Sequence, residues 1–73
     1  MNMDIKNIEI KGEFITLGQL IKILDLVASG GETKAFLLNT QILVNGEKEA
    51  RRGKKLYKGD SIIINNKEYK ICW

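Results

Sequence analysis

The chain contains no histidine and no proline, and its 73 residues include a single cysteine. Without histidine, neither a histidine-based catalytic triad nor a histidine-ligated metal site can be assembled. One cysteine cannot form a disulfide framework or a zinc site, so a reducing cytoplasm is the expected compartment. The carboxylates are scattered, mostly beside lysines, as ordinary solvated surface pairs are. No catalytic residue, metal ligand or cofactor is therefore expected, and the chain reads as a non-enzyme. "SGGETK" sets glycines near a lysine but lacks the spacing and the preceding buried strand of a phosphate-binding P-loop.

Long apolar runs are also missing. The most hydrophobic stretch, residues 14–28, is interrupted by Lys22 and Asp25 and is too short to cross a bilayer. No export signal, linker, repeat or low-complexity tract is apparent. With 44% hydrophobic and 29% charged residues, the composition is that of one small globular domain spanning 1–73. Cys72, next to the end, reads as a small apolar residue at a strand terminus, the alternative being a reactive thiol.

What the chain does have is positive charge, unevenly placed. The net charge is only +3. Residues 1–37 hold four lysines against five carboxylates, and residues 38–73 hold eight Lys/Arg against four carboxylates. Within "EARRGKKLYKGD" the cations are Arg51, Arg52, Lys54, Lys55 and Lys58, with no acid among them. A solvated loop is the plain alternative. Packing that much like charge together costs stability unless a partner supplies anions, which favours a polyanion. Gly53 is expected to let the backbone bend so that side chains on both sides of it face one ligand. Tyr57 has two readings, a ring that stacks on a base or a core side chain.

Periodicity supplies the scaffold. Ile8 and Ile10 alternate with charged neighbours as in a short edge strand, ended by Gly12. Leu17, Leu20, Ile21, Leu24 and Val27 share one helical face, and Thr16 with Gln19 forms a capping-box pattern before them. Gly30 or Gly31 is expected to stop this helix in the left-handed conformation. Ser29 with Glu32 signals a second cap, opening a short helix to residue 39 that buries Phe36 and Leu37. A tight Gly-Gly link between the two would force a sharp corner. Asn45-Gly46 marks a type I′ hairpin, followed by turns at "YKGD" and Asn65-Asn66 and a final strand over 67–73. The free backbone N–H groups at the start of the second helix, near Lys34, would also attract phosphate.

The order of these parts resembles the small RNA-binding domain named after the fourth protein of the small ribosomal subunit, the S-four domain or αL motif. The matching pieces are the capped helix at 17–27, the serine-initiated turn and helix at 29–37, "ILVNG" at 42–46 and "LYKGD" at 56–60. "FITLGQLIKI", "SGGETKAFL" and "RRGKKLYKGD" are similar to the free-standing bacterial members, the YaaA-like group. The resemblance implies an α+β fold: two short helices packed on a small, mostly antiparallel sheet of four to five strands. The core motif would lie at about 14–60, with flanking strands at 4–11 and 61–72.

It also implies a protein that docks on structured RNA, with ribosomal RNA favoured, on a ribosome or its precursor, as a cytoplasmic monomer away from membranes. Carried over by position, the RNA-binding residues are Ser29, Lys34, Asn45, Gly46, Arg51, Arg52, Lys54 and Lys55, flanked by Lys58. Gly30 and Gly31 would offer amides to a second phosphate. Many members open the first helix with an arginine and set another directly after the serine. Here Thr16-Leu17-Gly18 and Gly30 stand instead, which removes two phosphate contacts and leaves Lys22 and residues 51–58 to compensate. With no flat aromatic platform foreseen, splayed single-stranded bases are not the expected main target. Two other readings stand beside this one: a protein-interaction adaptor using the final strand and Trp73, and a DNA-binding accessory protein.

Overall fold

Alternating apolar residues in the second half of the chain build one continuous sheet. In the computed structural model, which describes residues 5–72, β3 (Ile42–Val44), β6 (Ser61–Ile64) and β7 (Lys67–Cys72) are antiparallel neighbours. Ile42 pairs with Ile64, Val44 with Ile62, and Ile62 with Tyr69, and all five are buried. The two-residue strand β4 (Glu47–Lys48) extends one edge by the Asn45-Gly46 hairpin. At the other edge β1 (Ile5–Glu9) runs parallel to β7, with Ile8 opposite Ile71, so the order is β1-β7-β6-β3-β4. The α+β architecture read from the sequence is the one adopted, with five strands in the main sheet and one parallel pair.

The turns follow their residues. Asn45 (φ 52) with Gly46 (φ 87), and Asn65 (φ 50) with Asn66 (φ 66), take the consecutive positive φ of type I′ hairpins. Gly59 (φ 94) closes the turn between β5 (Lys55–Tyr57) and β6.

The helices depart from expectation at their junction. α1 covers Leu17–Ile23 and α2 covers Gly30–Asn39. Thr16 and Gln19 form the capping box: the Gln19 N–H donates to Thr16 Oγ1 (3.2 Å) and the Thr16 N–H to Gln19 Oε1 (2.8 Å). α1 then stops at Leu24, well before the glycines. Asp25 takes the left-handed conformation (φ 61), with its N–H donating to the Lys22 carbonyl and that of Leu26 to the Ile21 carbonyl. This is a Schellman ending, with an aspartate where glycine is usual. Gly30 and Gly31 instead open α2, and the link is the longer stretch 24–29. Ser29 does occupy the N-cap position, but its hydroxyl makes no capping bond. The Glu32 carboxylate reaches past it and accepts from the Ala28 N–H (2.9 Å). Leu37 and Thr33 are the buried residues of α2, with Phe36 only partly covered.

Leu17, Leu20 and Ile21 of α1 and Leu37 of α2 pack on the inward face of the sheet with Ile42, Ile62, Ile64 and Ile71. A second, two-stranded ribbon had no counterpart in the periodicity. β2 (Phe14–Thr16) pairs antiparallel with β5, setting Phe14 opposite Tyr57, Ile15 opposite Leu56 and Thr16 opposite Lys55. Leu56 is fully buried, so the ribbon lies against the core and carries the basic segment with it.

Candidate nucleic-acid interface

The basic segment is clamped to the start of α1. The first N–H groups of a helix have no partner within it. Here the Leu17 N–H donates to the Lys54 carbonyl (2.8 Å) and the Gly18 N–H to the Arg52 carbonyl (2.9 Å). A turn closed by the Lys54 N–H on the Arg51 carbonyl (3.1 Å) bends the chain between those two contacts. The loop can come this close because Gly18 is buried and has no side chain. A β-carbon there would lie 3.3 Å from both the Cβ and the carbonyl oxygen of Arg52. In the stretch where many members of the resembled family carry an arginine, this chain therefore admits the main chain of its own basic loop.

Two shallow hollows flank the clamp and share Gly53. One, of about 310 Å³, is lined by Lys22, Arg52, Gly30 and Thr33 together with Thr16, Gly18 and Gln19. It spans the N-terminal ends of both helices, and a β-carbon on Gly30 would lie 3.5 Å from the Lys22 ammonium. Thr33 is 2% exposed, and its hydroxyl has no hydrogen-bond partner among the described residues. The other hollow, of about 500 Å³, is lined by Arg51, Lys54, Lys55 and Tyr57. Cations at either side of Gly53 are thus presented on adjoining surfaces. Gly53 has no positive φ, and a β-carbon on it would meet open space, so the bend does not depend on glycine.

The remaining residues named from the sequence fall outside the linings of these hollows. Ser29, Gly31 and Lys34 are exposed at the start of α2. Lys58 sits half-buried at the turn after β5. Asn45 and Gly46 form the β3–β4 turn, and the Asn45 side chain is engaged within the protein. Its Nδ2 donates to Asp60 Oδ1 (3.1 Å), and its Oδ1 accepts from the Ser61 N–H (2.9 Å). That bond network ties "VNG" to "KGD", the two short motifs separated by the basic loop.

Arg51 is also partnered. Its Nε and Nη2 donate to the two oxygens of Glu49 at 2.9 and 3.0 Å, and Glu49 Oε2 accepts from the N–H groups of Ala50 and Arg51. These bonds, the guanidinium's foremost, pull the Glu49 carboxyl down from its ordinary 4.5 to about 2. One cation of the run is therefore held in a fork-to-fork pair while its side chain remains 77% exposed. An acid two residues before the run, outside it in sequence, neutralises part of it.

Among the described residues there is no group of three or more histidine, cysteine, aspartate or glutamate side chains placed to hold a metal. No helix among them is long and apolar enough to cross a membrane. β7 is an interior strand, hydrogen-bonded on one side to β1 and on the other to β6. Among the described residues it has no open edge for a partner strand. Trp73, the ring on which the adaptor reading of the final strand rests, lies outside the described residues.

A capped helix, a second helix set against its start, an Asn-Gly hairpin and a clamped basic loop together define an S4 domain. The sequence model of that domain matches residues 8–72, and the chain belongs to this family of RNA-binding domains. It is 51% identical over 57 residues to the probable ribosome maturation protein RlbA of Bacillus subtilis (strain 168), a stretch covering 78% of this chain and 80% of that protein.

Proposed function

We propose that this protein binds folded RNA, ribosomal RNA in particular, through the two hollows around Gly53, and that it acts in ribosome maturation in the cytoplasm without catalysing a reaction. The observation that carries the reading is the clamp. Two main-chain hydrogen bonds hold residues 52 and 54 against the start of α1, so Arg52, Lys54 and Lys55 are presented from a fixed backbone beside Lys22 and Gly30. A loop kept soluble by its charges has no need of a rigid mount, whereas a surface matched to the phosphate spacing of a folded RNA does. The absence of histidine from the sequence and the name of the Bacillus subtilis relative support the non-catalytic, ribosome-directed part of this reading.

Binding should be strongly salt-dependent. Neutralising about four to six phosphates gives a slope of log K against log salt of roughly −3 to −5. The variant R51Q/R52Q/K54Q/K55Q should flatten that slope and keep the circular dichroism spectrum of the parent. Unchanged affinity of this variant for ribosomal RNA would overturn the assignment. In cells, crosslinking followed by sequencing of the attached RNA should recover ribosomal RNA or its precursor. Recovery of messenger or transfer RNA alone would remove the ribosomal part of the reading.

A further inference from the structure

The β2–β5 ribbon brings together two rings that the sequence keeps far apart. Phe14 and Tyr57 are directly opposed across it, with ring centroids 5.8 Å apart and planes tilted by 48°. A cross-strand aromatic pair stabilises such a ribbon by itself. Stability alone, however, gives no reason for both rings to stand in water, and Phe14 is 37% and Tyr57 47% exposed. Nor does it explain their surroundings. Tyr57 forms part of the wall of the hollow lined by Arg51, Lys54 and Lys55, and the Lys55 ammonium lies 4.9 Å from the centre of the Phe14 ring.

Resting on the RNA-binding reading above, we infer that the Tyr57 ring, braced from the side by Phe14, stacks against one unpaired RNA base, with Lys54 and Lys55 holding the phosphates that flank it. A nucleotide is the ligand whose chemistry fits both halves of this surface. Its base covers an exposed π-face, and its own backbone delivers anions to cations two and three residues away. An aliphatic ligand or an uncharged peptide would cover the rings and leave the ammonium groups unanswered. The tilt between the rings limits the site to a single base, because two successive stacked bases need parallel faces. The unpaired nucleotide would sit in a bulge or loop of an otherwise folded RNA, which reconciles a stacking site with recognition of structured RNA.

The test uses two RNA hairpins, identical except that one carries a bulged adenosine and the other an abasic residue at the same place. At low salt both bind any cationic RNA-binding surface through their stems. The parent protein should bind the adenosine bulge more tightly, by about five- to a hundredfold. Tyr57→Phe should keep that preference and Tyr57→Leu should abolish it, so that the variant binds the two hairpins equally. With 5-iodouridine in the bulge, photocrosslinking of the parent protein should map to Tyr57, a result that does not depend on any variant folding. Equal affinity of the parent for both hairpins, or crosslinks confined to other residues, would overturn the stacking site. If those equal affinities keep a steep salt slope, RNA binding stands without the stacking site; if neither hairpin binds in a salt-sensitive way, RNA binding itself is refuted and the stacking site with it.

Discussion

Asn45 and Asp60, fifteen residues apart, are joined side chain to side chain across the root of the basic loop, at 3.1 Å. Asn45 also serves the backbone on the other side, and Asp60 the backbone of its own turn. Asn45 Oδ1 accepts from the Ser61 N–H, and Asp60 Oδ2 accepts from the Tyr57 N–H (2.8 Å). The pair fastens both ends of the segment that holds the cations. Asn45→Ala should destabilise the fold by about 1–3 kcal/mol, since it removes the two bonds made by the Asn45 side chain and places a β-carbon residue without a local acceptor at φ 52. A chemical-denaturation double-mutant cycle with Asp60→Ala should return a coupling of about 0.5–1.5 kcal/mol. Additive losses would mean the two turns are independent.

In the proposed binding mode, Glu49 competes with RNA for Arg51. Glu49→Gln should free the guanidinium, tighten RNA binding and steepen the salt slope by up to about 1, measured by titration at several salt concentrations. A variant with unchanged slope would show that Arg51 contacts no phosphate.

The same pair makes stability depend on pH. The Glu49 carboxyl titrates lower in the folded chain, at about 2, than its ordinary 4.5, so the unfolded chain binds the proton more readily. The contribution is complete above about 4.5 and is lost as the pH falls toward 2. Parent and Glu49→Gln unfolding curves should therefore converge across that window, and curves that stay parallel would contradict the pair. The contribution is small, because the arginine is mostly in water.

Gly18 is where the loop meets the helix. Gly18→Val should push the Arg52 main chain outward and weaken the two clamping bonds, costing about 1–3 kcal/mol. RNA affinity should fall even under conditions where the variant remains folded. Retained affinity in a folded Gly18→Val protein would show that the clamp does not organise the cations.

Asp25 sets a carboxylate in left-handed backbone at the C-terminal end of α1, where both the conformation and the helix dipole disfavour it. Asp25→Gly should stabilise by about 0.5–1 kcal/mol, a rise of roughly 2–8 °C in the thermal midpoint. A drop would reveal that the carboxylate has a partner worth more than the strain.

The local features were the readable ones. Thr16 and Gln19 can cap only the helix that begins between them, and Asn45-Gly46 or Asn65-Asn66 can turn a hairpin with no help from distant residues. The α1 ending was misread because Gly30 and Gly31 are the better left-handed residues by composition. The core covers Leu17, Leu20 and Ile21 but leaves Ile23 exposed and Leu24 only partly covered, and the chain departs at Asp25. Ser29 was placed correctly and given the wrong bond, since spacing alone cannot say whether Glu32 will reach the N–H of Ser29 or that of Ala28. Within the candidate interface, the run from Arg51 to Lys58 was plain in the sequence. The capture of Arg51 by Glu49, the clamp onto Leu17 and Gly18, and the joining of Asn45 to Asp60 were not.

The sequence by itself determined which residues turn, which alternate and where cations crowd, because those follow from short-range sterics, side-chain period and charge. Only the tertiary structure decided that Phe14 would stand beside Tyr57 and that Lys22 and Arg52 would line one hollow. Those neighbours are brought together by a buried Leu56 and a side-chain-free Gly18, and contacts across forty or thirty residues of chain are set by packing, which has no signature in local order.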